Sequence, residues 1–303
     1  MRIVVTGGCG FIGSSFVNLL YKFDNIEIIV VDKITYAANP FLIPEDVTII
    51  KKDICDITID DIGYADYIVN FAAESHVDNS ISNGLPFVKT NVEGTFNLLE
   101  VARKTPNLKK FVQISTDEVY GDMESRRMGE ANESTSLQPS SYYSATKAAA
   151  DHLVESAGRT YGLPYLITRT CNNYGVNQHH EKFLPTIAKS IKEDKPVPVY
   201  GDGKQMREWI WVEDNVRLVY DLMMDKMNEI GIWNIGSGDT WTNRSIIQQI
   251  GVVLNKKVKL EHVEDRLGHD RRYSVDFNKL LFYKNSYNIT TKTLEKFLTE
   301  TFG

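Results

Sequence analysis

The segment TGGCGFIG, residues 6 to 13, decides the fold because it joins an apolar run to an amphipathic one through regularly spaced glycines. The run before it, IVVT (3–6), is typical of a buried β-strand, and residues 12–23 have the spacing of an amphipathic helix. Gly7, Gly10 and Gly13 permit a tight turn and let backbone N–H groups approach a phosphate at the start of the helix. The segment predicts the pyrophosphate site of a bound dinucleotide.

The acidic residue that ends the second apolar run extends this prediction. IEIIVVD (26–32) ends in Asp32, about 20 residues past the glycines, where a carboxylate can bind a ribose diol and repel a 2′-phosphate. This spacing favours NAD over NADP, and it disfavours the simpler interpretation of a tight turn with a surface aspartate. Asp53 and Ile54 end the third run, where an adenine would lie, and residues 71–75 end the fourth, beside the middle of the cofactor.

Apolar runs alternate with amphipathic stretches through the first half of the chain. The runs are continuous, as expected of a parallel sheet that is covered on both faces. They are IVVT, IEIIVVD, VTIIKKD (47–53), YIVNFAA (67–73), KKFVQIS (109–115) and YLITRT (165–170), and the amphipathic stretches are 12–23, 86–104 and 144–161. This alternation predicts an α/β fold, a doubly wound parallel sheet with right-handed crossovers.

The pattern changes after residue 170, where Pro, Asn, His and Gly become more frequent. The elements expected there are a helix at 185–193, a short strand in PVPVY, a helix at 213–224, a strand WNIG (233–236) that returns to the main sheet, and a final helix at 293–302. A cofactor-binding domain is therefore predicted over 1–170 plus about 211–236, and a smaller mixed domain over about 171–210 plus 237–303. Ligands of such sheets bind beyond the carboxyl ends of the strands.

Composition argues against several other classes of protein. The 303 residues carry 34 basic and 40 acidic side chains without a basic block, so a nucleic-acid or membrane surface is not expected. The 3 cysteines form no CxxC pair, which indicates a reducing compartment. The N-terminus lacks the pattern of a signal peptide and no apolar run reaches transmembrane length, so a cytoplasmic protein is predicted. His179 and His180 lack partners at metal-ligand spacing, and no metal is expected.

Two pairs of chemically active side chains follow the predicted strands. Asp117 and Glu118 come directly after the run that ends at Ser115, although adjacent carboxylates at such a place repel each other and lose solvent. Tyr143 and Lys147 lie four residues apart, on one face of a predicted helix. An ammonium beside a phenol lowers the pKa of the phenol, and a bound cationic nicotinamide lowers it further. We expect Tyr143 to take a hydroxyl proton while hydride leaves the same carbon.

These features together resemble the extended short-chain dehydrogenase/reductase family. STDEVYG (115–121), AAESHVD (72–78), RTCNNYG (169–175), PVYGDGKQMREW (198–209) and RLGHDRRY (266–273) are similar to segments of its dTDP-glucose 4,6-dehydratases, which are nucleotide-sugar dehydratases. The resemblance runs from TGGCGFIG to HDRRYSVD. It implies a Rossmann fold with a smaller C-terminal substrate domain, and a tightly bound NAD that is regenerated in each turnover.

The resemblance also implies a reaction and a role for each catalytic residue. The C4 hydroxyl of a glucosyl group is oxidised, water is eliminated across C5 and C6, and hydride returns to C6. Elimination needs a base at C5 and an acid at the C6 hydroxyl, and adjacent carboxyls serve both if their environments separate their pKa values. By resemblance, Asp117 is the acid, Glu118 is the base, and Thr116 binds the C4 hydroxyl beside Tyr143, with Lys147 completing the catalytic set.

Motifs and resemblance together assign the binding contacts. The expected cofactor contacts are Gly7, Gly10, Phe11, Ile12, Gly13, Asp32, Lys33, Thr35, Asp53, Ile54, Ala72, Ala73, Ser75, Thr90, Tyr143, Lys147 and Asn173. The expected substrate contacts are Ser75, Thr116, Asn172, Lys182, Phe183, Pro198, Tyr200, Arg207, Asn243, Arg266 and His269. Two arginines and a lysine in the second set can neutralise a diphosphate. The implied partners are a nucleoside-diphosphate sugar and a second copy of the chain, packed through helices near 91–103 and 144–161.

The chain departs from the family pattern at three places. Asn79 stands where an arginine is usual, Tyr142 stands in place of a proline, and the segment between Tyr120 and Tyr143 is shorter than in typical bacterial members. None of these departures removes a catalytic group. The shortened segment lies close to the expected site, so it bears on which nucleotide base is accepted.

Four alternatives to a dTDP-glucose 4,6-dehydratase stay open at this point. A nucleotide-sugar 4-epimerase or a UDP-glucuronate decarboxylase shares Tyr143 and Lys147 but needs no acid and base at C5 and C6. A non-catalytic NAD-sensing protein on the same fold would be expected to lose Tyr143 and Lys147. A UDP-glucose 4,6-dehydratase differs in one methyl group of the substrate, which an apolar pocket discriminates by roughly 1–3 kcal/mol.

Overall fold

The computed structural model describes residues 1–225, 231–287 and 293–302. The strands are β1 (Arg2–Thr6), β2 (Glu27–Asp32), β3 (Thr48–Lys51), β4 (Tyr67–Asn70), β5 (Lys110–Thr116), β6 (Tyr165–Thr170), β7 (Asn172–Tyr174), β8 (Val197–Tyr200), β9 (Met206–Trp211), β10 (Gly231–Ile235), β11 (Thr240–Thr242) and β12 (Leu260–Val263). The helices are α1 (Phe11–Leu20), α2 (Ile59–Ile62), α3 (Val77–Ser82), α4 (Leu85–Phe87), α5 (Thr95–Lys104), α6 (Tyr142–Tyr161), α7 (Phe183–Lys192), α8 (Val212–Met224), α9 (Asn243–Val253), α10 (Asn278–Tyr287) and α11 (Leu294–Phe302).

The main sheet has seven strands in the order β10-β6-β5-β4-β1-β2-β3. Every neighbouring pair in it is parallel. The predicted doubly wound α/β sheet is confirmed, and the strand order reverses between β1 and β4. Such a reversal opens a crevice at the carboxyl ends of these two strands, where ligands of open α/β sheets bind.

Apolar helix faces cover both sides of this sheet. On one side, Phe16 of α1 and Val216 of α8 are fully buried against strand residues such as Val30. On the other side, Leu98 of α5 and Val154 of α6 are buried in a second cluster. Both faces of the strands are thus removed from water, which is why their sequences are continuous apolar runs.

The segments after residue 170 form a smaller lobe with its own apolar core. It contains a three-stranded sheet, β11-β9-β7, and a two-stranded sheet, β12-β8. Ile187 of α7, Trp209 of β9, Ile246 of α9 and Leu298 of α11 are buried together there. The predicted return to the main sheet is confirmed, because β10 pairs with β6 in parallel register. The two domain boundaries stay a prediction, which this separate core supports.

The amphipathic stretch predicted at 86–104 is not one regular helix. A wider π-helical turn, Val88–Gly94, separates α4 from α5. Inside it, the Asn91 side chain accepts a hydrogen bond from the Glu74 backbone N–H (2.9 Å) and donates to the Glu74 carbonyl (3.1 Å). Wide turns of this kind occur often at functional sites. Here the turn fixes the loop that follows β4.

Within residues 1–225, 231–287 and 293–302, no helix combines the length and the apolar composition needed to cross a membrane.

Candidate active site

A large cavity lies beyond the carboxyl ends of the main sheet and extends to the smaller lobe. Its volume is about 600 Å³, and its walls include the glycine turn after β1, Asp32 at the end of β2, Thr116 at the end of β5 and Trp209 of β9. All of the predicted catalytic, cofactor and substrate residues lie on its walls, with the exception of Asp117. The structure thus gathers residues from most of the chain in one place, and their individual roles stay predictions.

The turn after β1 has a geometry that only glycine accommodates. Gly7 has a φ of +67°, and a Cβ atom there would lie 2.5 Å from the backbone nitrogen of Ala72. A Cβ atom on Gly13 would collide with the carbonyl oxygen of Gly7. These close approaches keep the start of α1 against the sheet and leave its N-terminus open to the cavity. A dinucleotide pyrophosphate fits this cradle, because backbone N–H groups and the helix dipole favour an anion there.

Asp32 is held in a fixed orientation at the end of β2. One carboxylate oxygen accepts a hydrogen bond from the Cys9 N–H (3.0 Å), and the other accepts from the Ile34 N–H (2.8 Å). Each carboxylate oxygen has a second lone pair to offer. The remaining lone pairs can accept from the hydroxyls of a ribose, so this residue fits NAD as predicted from its position.

Lys33 and Asp53 line the cavity close to Asp32. The Lys33 ammonium lies 3.6 Å from Asp53 and 3.5 Å from Glu74, and it donates to the Thr90 hydroxyl (3.3 Å). Burial raises the pKa of Asp53, but a hydrogen bond from the Cys55 backbone N–H and the charge of Lys33 outweigh it, and the pKa is lowered overall. Asp53 is therefore ionised, and it pairs with the lysine that follows Asp32 in the chain.

Tyr143 and Lys147 lie in the first turns of α6. Ser141 caps this helix, because its hydroxyl accepts from the Ser144 N–H (3.1 Å) while the Ser144 hydroxyl accepts from the Ser141 N–H (3.0 Å). The Lys147 ammonium donates to the carbonyl oxygen of Ile114 (2.5 Å), which lies in β5. Burial lowers the pKa of Lys147 to about 8. The helix is thereby fixed against the strand that leads to Asp117 and Glu118.

The prediction that Lys147 lowers the pKa of Tyr143 is not met by the protein's own groups. Burial raises the pKa of the Tyr143 phenol, and the negative charge of Glu118 raises it further, while the Thr116 hydroxyl opposes this effect. The Lys147 ammonium is engaged with a backbone carbonyl instead. The expected lowering of the Tyr143 pKa therefore depends more on a cationic nicotinamide than on Lys147.

The two adjacent carboxyls occupy a short helical turn, Asp117–Tyr120, directly after β5. Thr116 caps this turn by accepting from the Glu118 N–H (3.3 Å), and its hydroxyl lies 3.2 Å from Asp117 Oδ1. Asp117 is 3% exposed and stands behind the cavity wall, whereas Glu118 faces the cavity. Thr116 lines the cavity and contacts Asp117, so it connects this carboxyl to the interior.

The surroundings of the two carboxyls raise their pKa values to different extents. Burial raises the pKa of Asp117 well above its usual value, and the charges of Glu118 and Glu208 raise it further. Burial also raises the pKa of Glu118, and this pKa stays raised overall, but less than that of Asp117 because Arg207, Arg266 and Lys182 oppose the effect of burial. The arrangement favours a protonated Asp117 beside an ionised Glu118, which is the separation that an acid and a base need.

Cationic side chains from the smaller lobe surround the far end of the cavity. The Arg207 guanidinium stacks 4.2 Å from the centre of the Tyr273 ring and donates to the Asp270 carbonyl (2.9 Å). Arg266 pairs with Asp78 (3.1 Å). Lys182 donates to the Ser75 carbonyl (3.3 Å). These groups can neutralise a diphosphate, as predicted from the sequence.

The cavity also contains residues that sequence reasoning did not select. The Tyr273 hydroxyl donates to Asp270 Oδ2 (2.8 Å) and lies 3.5 Å from Glu118 Oε2. Tyr273 ends the segment RLGHDRRY, so a closer reading of that segment could have included it. Tyr36 and Asp78 also line the cavity. Among the described residues, no group of three or more His, Cys, Asp or Glu side chains could hold a metal ion.

Comparisons with known proteins agree with this geometry. The sequence profile of the NAD dependent epimerase/dehydratase family matches residues 3–236. The chain is 44% identical over 288 residues to the low-salt glycan biosynthesis protein Agl12 of Haloferax volcanii. This match covers 92% of the chain and 91% of that protein. It is 41% identical over 309 residues to the dTDP-glucose 4,6-dehydratase of Haemophilus influenzae, and this match covers 92% of the chain and 91% of that protein. The crystal structure of DesIV, a dTDP-glucose 4,6-dehydratase from Streptomyces venezuelae with NAD bound, superposes with a TM-score of 0.92 at 36% identity, covering 100% of this chain and 96% of that one.

Proposed function

The chain belongs to the NAD-dependent epimerase/dehydratase family, and we propose that it dehydrates dTDP-glucose to the 4-keto-6-deoxy sugar. The enzyme is a 4,6-dehydratase, a hydro-lyase that uses NAD and serves deoxysugar biosynthesis. The observation that carries this proposal is the Asp117–Glu118 pair, which directly follows the Thr116 that faces Tyr143. An acid and a base beside the residues for C4 oxidation are what elimination across C5 and C6 requires.

In the proposed mechanism, NAD held by the glycine turn and Asp32 would supply the acceptor for the hydride from C4 and the donor of the hydride to C6. Thr116 binds the C4 hydroxyl, and Tyr143 takes the proton of that hydroxyl. The resulting ketone acidifies the hydrogen at C5, which Glu118 removes. Asp117 protonates the departing C6 hydroxyl, because its burial beside Glu118 keeps it in the acid form.

The nucleotide end of the substrate is held by the smaller lobe in this proposal. Arg207, Arg266 and Lys182 neutralise the diphosphate, and their charges also lower the pKa of Glu118. The same groups that bind substrate thus keep the proposed base ionised. Tyr200 and His269 pack edge to face with ring centres 6.1 Å apart and line the same end of the cavity.

We propose that the enzyme acts as a homodimer in the cytoplasm. The helices expected at the dimer contact, near 91–103 and 144–161, carry the large exposed side chains Phe96 (53% exposed) and Tyr161 (59% exposed). Burial of such side chains is a usual driving force for association. The cytoplasmic location is supported by the free thiols of Cys9, Cys55 and Cys171, which suit a reducing compartment.

Mass spectrometry of reaction mixtures tests the proposed function. Purified protein is incubated with dTDP-glucose or UDP-glucose, first without and then with added NAD, and loss of one water from the nucleotide sugar is followed. We expect water loss without added NAD, and the ratio of initial rates identifies the preferred base. Isomerisation or loss of carbon dioxide from related nucleotide sugars, without water loss from either glucoside, would favour the epimerase or decarboxylase instead.

A further inference from the structure

A buried ion pair joins α6, the helix of Tyr143 and Lys147, to β6 and takes no part in the steps described above. The Nε atom of Arg169 donates to Asp151 Oδ2 at 2.9 Å, and the two side chains are 2% and 0% exposed. Asp151 belongs to α6 and Arg169 to β6. An ion pair buried this deeply is a weak source of stability, since replacing it by packed apolar side chains is often neutral or stabilising. Its position suggests another purpose.

Asp151 lies on the same face of α6 as the proposed catalytic residues. Tyr143, Lys147 and Asp151 follow one another at intervals of four residues, which places them on one side of a helix. The groups that face Asp151 are Arg169 from β6, Ser115 from β5 and Lys147 from its own helix. Asp151 is therefore the buried negative charge nearest along the helix to the Lys147 ammonium.

A second nitrogen of the Arg169 guanidinium contacts the turn that carries Asp117 and Glu118. Its Nη1 atom donates to the Tyr120 hydroxyl (2.9 Å), and Tyr120 ends the short helix that begins at Asp117. The Tyr120 hydroxyl donates in turn to Asn234 Oδ1 (2.8 Å) in β10. One guanidinium thus joins the helix of Tyr143 to the turn of Asp117 through two buried hydrogen bonds.

We propose that Asp151, fixed by Arg169, is a positioning residue that supplies the counter-charge for the Lys147 ammonium and so sets the pH range in which Tyr143 can take a proton. The part that concerns Tyr143 rests on the proposed function, whereas the part that concerns Lys147 does not. Burial raises the pKa of Asp151, and the permanent charge and the hydrogen bond of Arg169 oppose this effect and so favour the carboxylate.

The electrostatics of the buried groups agree with this proposal. Burial lowers the pKa of Lys147, and the charge of Asp151 opposes that effect. Asp151 also contributes to the raised pKa of Tyr143. Without the charge of Asp151, both pKa values fall, so Lys147 and Tyr143 each lose a proton at lower pH. The pH range of C4 oxidation then moves to the acid side, by about one pH unit for a neighbouring buried charge.

Titration of Lys147 by NMR tests the proposal without any substrate. Protein containing carbon-13 lysine is titrated, and Lys147→Arg identifies the resonance of interest. We expect the wild-type Lys147 to titrate near its lowered pKa of about 8. In Asp151→Asn it should titrate about one pH unit lower. An unchanged titration in a folded Asp151→Asn protein overturns the proposal.

A double variant keeps the test valid if Asp151→Asn alone does not fold. Asp151→Asn alone leaves Arg169 buried without its partner, which is strongly destabilising. Asp151→Asn combined with Arg169→Met removes both charges and retains the volume of the pair. Loss of the Arg169 charge offsets part of the effect, so a smaller downward shift of the Lys147 pKa is expected in this variant, and the absence of any downward shift also overturns the proposal.

The matched control is Glu155→Gln, one turn further along α6. Glu155 pairs at the surface with Arg159 (3.1 Å) and His152 (3.3 Å), away from the cavity. This change removes a carboxylate from the same helix and should leave the titration of Lys147 in place. The pH profile of NAD reduction by dTDP-glucose then completes the test. If wild-type protein removes no water from dTDP-glucose, the proposed function fails, while the NMR result still decides the role of Asp151.

Discussion

Replacing Glu118 by glutamine removes the proposed base and keeps the size of its side chain. Oxidation at C4 does not need Glu118, so the variant should still reduce NAD when dTDP-glucose binds. The negative charge of Glu118 is among the causes that raise the pKa of Tyr143, so its loss lowers that pKa and favours the phenolate. Reduction of NAD should therefore be at least as fast at neutral pH as in the wild-type protein.

Elimination in Glu118→Gln should be slowed by the full contribution of a positioned base. Such a base accelerates a reaction by about 10²–10⁴-fold, which corresponds to about 2.7–5.4 kcal/mol of activation free energy. The charge of Glu118 also helps to keep Asp117 protonated, so a smaller fraction of Asp117 carries the proton in the same variant. The loss should accordingly fall toward the upper end of this range.

Stopped-flow absorbance of reduced nicotinamide, followed by mass spectrometry of the quenched mixture, separates the two steps. Wild-type protein should show little standing reduced nicotinamide, whereas Glu118→Gln should accumulate it without loss of water. Glu124→Gln, an exposed carboxylate in the following segment, is the control and should behave as wild type. Water loss at the wild-type rate in Glu118→Gln would refute its role as base, and failure to reduce NAD would refute the separation of the two steps.

Three further changes test other parts of the site. Tyr143→Phe should leave dTDP-glucose binding measurable by calorimetry but abolish NAD reduction, and reduction at the wild-type rate would remove Tyr143 from the role of proton acceptor. Gly7→Ala should purify with little NAD, as measured by cofactor release, because its Cβ atom would lie 2.5 Å from the Ala72 nitrogen at a φ of +67°; full NAD content would contradict the proposed cradle. Tyr120→Phe should lower the free energy of unfolding by about 1–3 kcal/mol in urea titrations, because the Arg169 guanidinium loses a buried acceptor; unchanged stability would mean that another group replaces this acceptor.

The parts of the site that could be predicted from the sequence are those with a local signal. The glycine turn, Asp32 and the Tyr143–Lys147 pair each depend on a spacing within one strand–turn–helix unit or one helix. The parallel sheet followed equally from the continuous apolar runs. Such features can be predicted because the physical cause lies within a few residues of the feature that it explains.

The parts that could not be predicted depend on contacts between distant segments. The raised pKa of Tyr143 comes from burial and from Glu118 in another element. The withdrawal of Asp117 from the cavity wall depends on how its turn packs. The contact of Tyr273 with Glu118 joins residues separated by 155 positions. No spacing rule contains such information.

The division of the cavity between two lobes has a consequence for how such enzymes diversify. Thr116, Tyr143 and Lys147 belong to the sheet lobe, whereas Arg207, Arg266 and Tyr273 reach Glu118 from the smaller lobe. Substitutions in the smaller lobe can retune the basicity of Glu118 and leave the oxidation machinery intact. Natural selection can therefore change oxidation at C4 and the later reaction of the ketone separately. A protein engineer can do the same by recombining lobes between relatives.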